Sequence, residues 1–188
     1  MKSKDFLFAR KYYRIFNYGN GDEHVFKSGR NYEYFLKKLR ERMSPHWELV
    51  AWCLLPDCFE LVVKMKEPLE EGISWEEVNK RTCFQFGQFI HGYTKAINKY
   101  HQRRGSLFAR SFSRKLISDD YEMKKIICSM HKAPVERGYV ASPFQWRFSS
   151  CMYAHLYRQS IQFREMIHPF GSLENFLTEH QLSEKSVA

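Results

Sequence analysis

At 188 residues, with 44% hydrophobic and 16% aromatic content, the chain has the apolar mass to bury a substantial core, which excludes a disordered or low-complexity protein. Its 30 Lys and Arg outnumber 21 Asp and Glu, a formal charge of +9 that calls for an anionic partner. Five scattered cysteines without CxxC spacing exclude a disulfide framework and a zinc ribbon, and no apolar run is long enough for a signal segment or a membrane span, so a reduced cytoplasmic protein is expected.

The first element is an aromatic, β-branched run from Tyr12 to Tyr18 that closes in the turn Gly19-Asn20-Gly21 and reads as a strand. Residues 31–43 place Tyr32, Phe35, Leu36 and Leu39 at helical spacing among cations, the pattern of an amphipathic helix. Two strand-forming runs, 47–55 and 58–65, flank Pro56-Asp57 and predict an antiparallel hairpin. The acidic connector 67–77 leads into a helix from Trp75 to about Tyr100, with Ser74 as its N-cap and interruptions at Gly87 and Gly92. Residues 108–117 form another strand or extended segment. Asp119-Asp120 cap a helix through His131, and Pro134, Gly138 and Pro143 keep the chain irregular beyond it. A short helix is expected around 173–180. The order strand, helix, strand, strand, helix, strand, helix predicts an α+β fold, an antiparallel sheet packed against helices. One domain is expected over 1–160, and a tail over 161–188.

Between Val78 and Ser118 lie nine cations (Lys80, Arg81, Lys95, Lys99, Arg103, Arg104, Arg110, Arg114 and Lys115) and no acid, so this window of 41 residues carries the whole net charge. Solvated faces usually mix signs, so a run of this length without an acid favours contact with phosphate. The cations nearest the turn and the extended segment, Arg103, Arg104, Arg110, Arg114 and Lys115, together with Lys95 and Lys99 on the helix, are the candidate nucleic-acid ligands. Phe108 and Phe112 could stack on unpaired bases, but as alternating strand aromatics they fit a core better. His91 and His101 would lie about 15 Å apart along a helix, too far to share an ion.

Five segments in order carry a resemblance: Tyr13-Arg14-Ile15-Phe16-Asn17-Tyr18-Gly19-Asn20, the hairpin from Ala51 to Val63, Tyr93-Thr94-Lys95-Ala96-Ile97-Asn98-Lys99-Tyr100, Gly105-Ser106-Leu107-Phe108-Ala109-Arg110-Ser111-Phe112, and His131-Lys132-Ala133-Pro134-Val135-Glu136-Arg137-Gly138. Together they resemble the IS200-like tyrosine transposases, and more closely their relatives associated with repetitive extragenic palindromes. The resemblance implies a ferredoxin-like sheet, usually in a homodimer, that binds hairpin or single-stranded DNA and cuts one strand through a phosphotyrosine. It implies Mg²⁺ or Mn²⁺ in active members, held by a His-hydrophobic-His pair on the strand after the Pro.

Here those positions are Cys58 and Glu60, one strand face apart from Phe59. A thiol suits hard cations poorly and a single carboxylate seldom holds them, so this chain is expected to have a degenerate metal site and no cofactor. Tyr93 matches the nucleophile position, on a helix expected to cross the sheet near that site, and Asn98, which matches the motif's Asn, is expected to complete the degenerate site with Cys58 and Glu60. At His131-Lys132-Ala133-Pro134 the chain lacks the Asn of the family's Asn-Pro turn. The expected function is DNA binding with impaired strand cleavage. The alternatives are an active nuclease using Tyr93 and a non-catalytic RNA-binding or regulatory relative.

Overall fold

The computed structural model describes residues 5–181 apart from Asp22, Leu69, Glu71, Arg110 and 155–160. Strand β1 (Tyr12–Tyr18) leads to helix α1 (Gly29–Met43), the hairpin β2 (Trp47–Leu55) and β3 (Cys58–Met65), helix α2 (Trp75–Tyr100) and strand β4 (Ser113–Ile117). All neighbouring strands are antiparallel in the order β2-β3-β1-β4, which is the ferredoxin-like arrangement expected from the sequence. Helices α3 (Asp120–Glu136), α4 (Ile161–Ile167) and α5 (Leu173–Gln181) complete the chain. No helix among the described residues is long and apolar enough to cross a membrane.

Alternation along the strands divides the interior in two. Tyr13, Ile15, Phe59, Leu61 and Val63 point to one side, where Tyr32, Phe35 and Leu39 of α1 and Phe86, Phe89, Tyr93 and Ile97 of α2 cover them. Cys58 and Val62 point to the other side, beneath Met123, Ile127 and Met130 of α3 and Phe163, Met166 and Phe176 of the last two helices. A bulge between Leu49 and Ala51 resets the alternation of β2, so Trp47, Leu49, Trp52 and Leu54 join the first core while Ala51, Cys53 and Leu55 join the second. The result is three layers: helices, sheet, helices.

Helices α2 and α3 start on side-chain caps. Ser74 Oγ accepts from the Glu77 amide at 3.2 Å and Asp119 Oδ1 from the Glu122 amide at 2.8 Å. Gly87 and Gly92 do not interrupt α2, because a glycine inside a long helix with a buried face costs only about 1 kcal/mol. Helix α3 does not stop at His131 but runs on to Glu136, with buried Pro134 in its last turn. There the missing proline N–H forfeits one helical bond, and the ring packs in the interior. The fourth strand is shorter than the 108–117 run: Ser113–Ile117 forms the continuous ladder with β1, and upstream the contact is reduced to a bridge between Phe108 and Gly19 and a bond from the Ala109 amide to the Tyr18 carbonyl at 3.1 Å.

Candidate functional site

On the face of the sheet covered by α3, Cys58 and Glu60 lie on β3 two residues apart, as alternation requires. Glu60 faces Phe16 on β1, and Arg14, two residues earlier on the same face, sits diagonally across. Arg14 Nη2 donates to Glu60 Oε2 at 3.0 Å, and Arg14 Nε stands 2.8 Å from Oε1 in a bent charge contact. The guanidinium therefore occupies both carboxylate oxygens. Beside them, burial, reinforced by the Asp57 carboxylate, pushes the Cys58 thiol up to about 12, against the opposing pull of Arg137. Cys58 is a neutral thiol at physiological pH, and Arg137 itself donates to Asp57 Oδ1 at 2.6 Å. A protonated sulfur and a carboxylate already held by arginine do not fit Mg²⁺ or Mn²⁺, which require free oxygen ligands.

Tyr93 is not beside this pair. The apolar stripe Phe86, Phe89, Tyr93 and Ile97 directs α2 into the inner core, whereas Cys58 and Glu60 face the opposite side of the sheet. The expectation that the helix brings Tyr93 to the former metal site is corrected by this separation. The Tyr93 ring is 2% exposed, packs edge-on against Phe35 at 5.0 Å, and its hydroxyl donates to the Val25 carbonyl at 3.1 Å. Burial raises its phenol well above the ordinary value, which opposes formation of a nucleophilic phenolate.

Asn98 does not reach Cys58 and Glu60 either; its side chain closes the turn at the end of α2. Its Nδ2 donates to the Gly105 carbonyl at 2.9 Å and its Oδ1 accepts from Arg103 Nη1 at 2.6 Å. Gly105 has φ +89, a left-handed conformation that suits glycine in this turn. Arg103 is largely buried there, donating also to Glu23 Oε1 at 3.0 Å and the Ser106 carbonyl at 3.2 Å. It is a structural cation.

The other cations divide. On β4, Arg114 donates to the Asp5 carbonyl at 2.5 Å, while Lys115, facing the opposite side of the strand, is held by Glu122 Oε1 at 2.7 Å. Arg110 lies outside the described residues. Lys95, Lys99 and Arg104 are exposed and make no ion pair among the described residues. Lys95 and Lys99 are one helical turn apart on the side of α2 opposite Tyr93, in line with exposed His91. Next to them a groove of about 760 Å³ opens between α2 and the segment 105–112, with Lys95, Thr94, His91, Phe108 and Phe112 in its walls. Phe108 is 4% exposed and Phe112 packs on Phe86 at 4.5 Å, so both rings belong chiefly to the core. The sequence located this helix face; it missed Arg14, whose meeting with Glu60 depends on cross-strand register.

No protein-family model matches the chain, and no curated protein sequence matches it. A solved structure of a REP-associated tyrosine transposase bound to a REP hairpin is similar to it with a TM-score of 0.59 and 14% identity, covering 86% of this chain and 89% of that one. A candidate transposase from Deinococcus radiodurans aligns more loosely, with a TM-score of 0.42 and 15% identity over 73% of this chain and 97% of that one. The first likeness establishes the fold: a four-stranded antiparallel sheet with helices on both sides, as in IS200-like transposases.

Proposed function

We propose that the chain is a DNA-binding relative of the IS200-like transposases that recognises hairpin or single-stranded DNA and has lost metal-dependent strand cleavage. The observation that carries the binding is the C-terminal half of α2, which holds no acid, where Lys95 and Lys99, with Arg104 beyond the helix end, make no ion pair among the described residues and stand beside an open groove. Cations already neutralised by Glu23 or Glu122 have little to offer a phosphate; free ones release counterions from DNA when they bind. The hairpin held by the structural neighbour supports this class of ligand.

The loss of cleavage rests on the other side of the sheet. Cleavage by a tyrosine needs a phenol near the scissile phosphate and charge withdrawal from that phosphate. In this chain the candidate phenol is buried and hydrogen-bonded, and the family's ligand positions hold a neutral thiol and an arginine-bound carboxylate. Binding therefore proceeds without chemistry, in a homodimer if the arrangement usual in the family is retained.

The test is fluorescence anisotropy of labelled hairpin, duplex and RNA at several salt concentrations, with a parallel incubation in Mn²⁺ and denaturing electrophoresis of the products. Hairpin or single-stranded DNA should bind more tightly than duplex or RNA, with strong salt dependence and no covalent adduct. Equal affinity for all three nucleic acids, or an adduct, would overturn the reading.

A further inference from the structure

We propose that His131, Cys151 and His180 form a zinc-class metal site that ties the C-terminal helix to the body of the fold. The three residues come from α3, from the short 3-10 turn Ser150–Ala154 and from α5, and all are fully buried at 0% exposure. Their ligand atoms lie within 4.8 Å of one another. The site is independent of the DNA-binding face and of the positions that held metal in the family.

The hydrogen-bond pattern leaves the correct atoms available. His180 Nδ1 contacts the Phe176 carbonyl at 2.6 Å, which fixes a proton on Nδ1 and leaves Nε2 as a lone pair. That lone pair is directed at His131 Nδ1, 2.9 Å away. The far nitrogen of His131, Nε2, contacts Ser150 Oγ at 2.7 Å. Ser150 Oγ in turn is 3.2 Å from the Trp52 carbonyl and can donate to it. With His131 protonated on Nε2, both imidazoles present lone pairs to the same point, and each ring's other N–H has an acceptor. Outer hydrogen bonds of this kind orient metal-bound histidines.

Without an ion, the two rings share one proton across 2.9 Å, which explains the histidines but not the cysteine. The Cys151 thiol makes no hydrogen bond among the described residues, although it lies against two polar rings in the interior. A metal explains all three side chains: it takes the two nitrogen lone pairs and a thiolate, releasing the thiol proton to solvent. Two imidazoles and a thiolate suit Zn²⁺ and exclude Mg²⁺ and Ca²⁺ as the preferred ion. Tetrahedral Zn–N bonds of ~2.0–2.1 Å set the two nitrogens roughly 3.3 Å apart, so the rings need to separate by only a few tenths of an ångström. Three protein ligands leave one position for water or a small anion.

The test refolds the full chain with Co²⁺ as the spectroscopic probe and, separately, with Zn²⁺, then applies dialysis and elemental analysis. One equivalent of bound metal is expected, together with a thiolate-to-cobalt charge-transfer band, visible ligand-field bands of tetrahedral intensity and a higher melting temperature than the chelator-treated protein. Cys151→Ser should abolish the charge-transfer band and weaken Zn²⁺ binding at least tenfold; Cys58→Ser and Cys128→Ser should leave both unchanged. Wild-type protein that is folded by circular dichroism yet retains no metal overturns the site without reference to any variant. Loss of the band in Cys58→Ser or Cys128→Ser, or its survival in folded Cys151→Ser, overturns it as well.

Discussion

Replacing Tyr93 by Phe removes one oxygen and nothing else, so it separates a core tyrosine from a nucleophile. The hydroxyl makes one bond, to the Val25 carbonyl at 3.1 Å, inside a ring cluster with Phe35 at 5.0 Å and Phe26 at 5.9 Å. Losing a buried hydrogen bond of this kind costs about 1 kcal/mol, and the stranded carbonyl can raise the cost to roughly 2 kcal/mol. In a chain of this size each kcal/mol lowers the melting temperature by about 2–4 °C. Tyr93→Ala also empties a ring-sized space in the aromatic core and should cost about 3–5 kcal/mol. The assay pairs urea denaturation of both variants with hairpin titrations under conditions where the protein stays folded. Graded destabilisation with hairpin affinity unchanged within about twofold is expected. A Tyr93→Phe variant of wild-type stability that loses a covalent DNA adduct formed by the wild type would refute the assignment of this residue to the core.

Three other substitutions test the division of charges and the altered strand. Replacing Lys95, Lys99 and Arg104 together by Ala should lower the slope of log affinity against log salt by about 2, at ~0.7–0.9 per phosphate contact, without changing stability; anisotropy at four salt concentrations measures it. Arg103→Ala should instead cost about 1 kcal/mol by releasing the turn from Asn98, Glu23 and the Ser106 carbonyl, with the salt slope unchanged, read by urea denaturation beside the same titrations. Cys58→His/Glu60→His should return no nicking in Mn²⁺ and should destabilise the fold, because Arg14 loses its carboxylate and Tyr93 stays across the sheet; electrophoresis of labelled hairpin and a melting curve decide it. Glu122 supplies a pH dependence: hydrogen bonds from Lys115 and then from the Ser118 amide and hydroxyl lower its carboxyl to about 2. A depressed folded-state value contributes stability that is present above the unfolded value near 4.5 and is lost as pH falls towards 2. With a quarter of the Glu122 side chain and most of its partner Lys115 open to solvent, screening cuts this to about 1 kcal/mol, and Glu122→Gln should flatten the stability profile over that interval.

Local chemistry made most of the fold legible. Period-2 and period-3.6 patterns, with Ser74 and Asp119 as caps, placed the four strands and the first three helices, and the hairpin at Pro56-Asp57 set the direction of the sheet. The extension of α3 through Pro134 was not legible, because a proline in the final turn is tolerated only when tertiary packing compensates for it. The separation of Tyr93 from Cys58 and Glu60 was latent in the pattern. Phe59 belongs to the same core as the α2 stripe that includes Tyr93, so its two neighbours on the strand had to face away. Arg14 and the His131, Cys151 and His180 cluster depend on which segments meet in space, and no local spacing encodes that.

The Arg14–Glu60 pair also bears on metal dependence. Where an ion is held by two histidines, its charge sits on the sheet only while it is bound, and any DNA contact there varies with metal supply. A guanidinium fixed on β1 supplies a permanent cation against Glu60, with 30% of the Arg14 side chain and 19% of the Glu60 side chain exposed. The local charge is then balanced by the protein itself, and the free cations of α2 lie on the other side of the sheet. Hairpin affinity should therefore be the same within about twofold in Mn²⁺ and in chelator once ionic strength is matched. A tenfold or greater tightening in Mn²⁺ that disappears in Glu60→Gln would show that the carboxylate still recruits an ion in competition with Arg14, and the separation of binding from metal would fail.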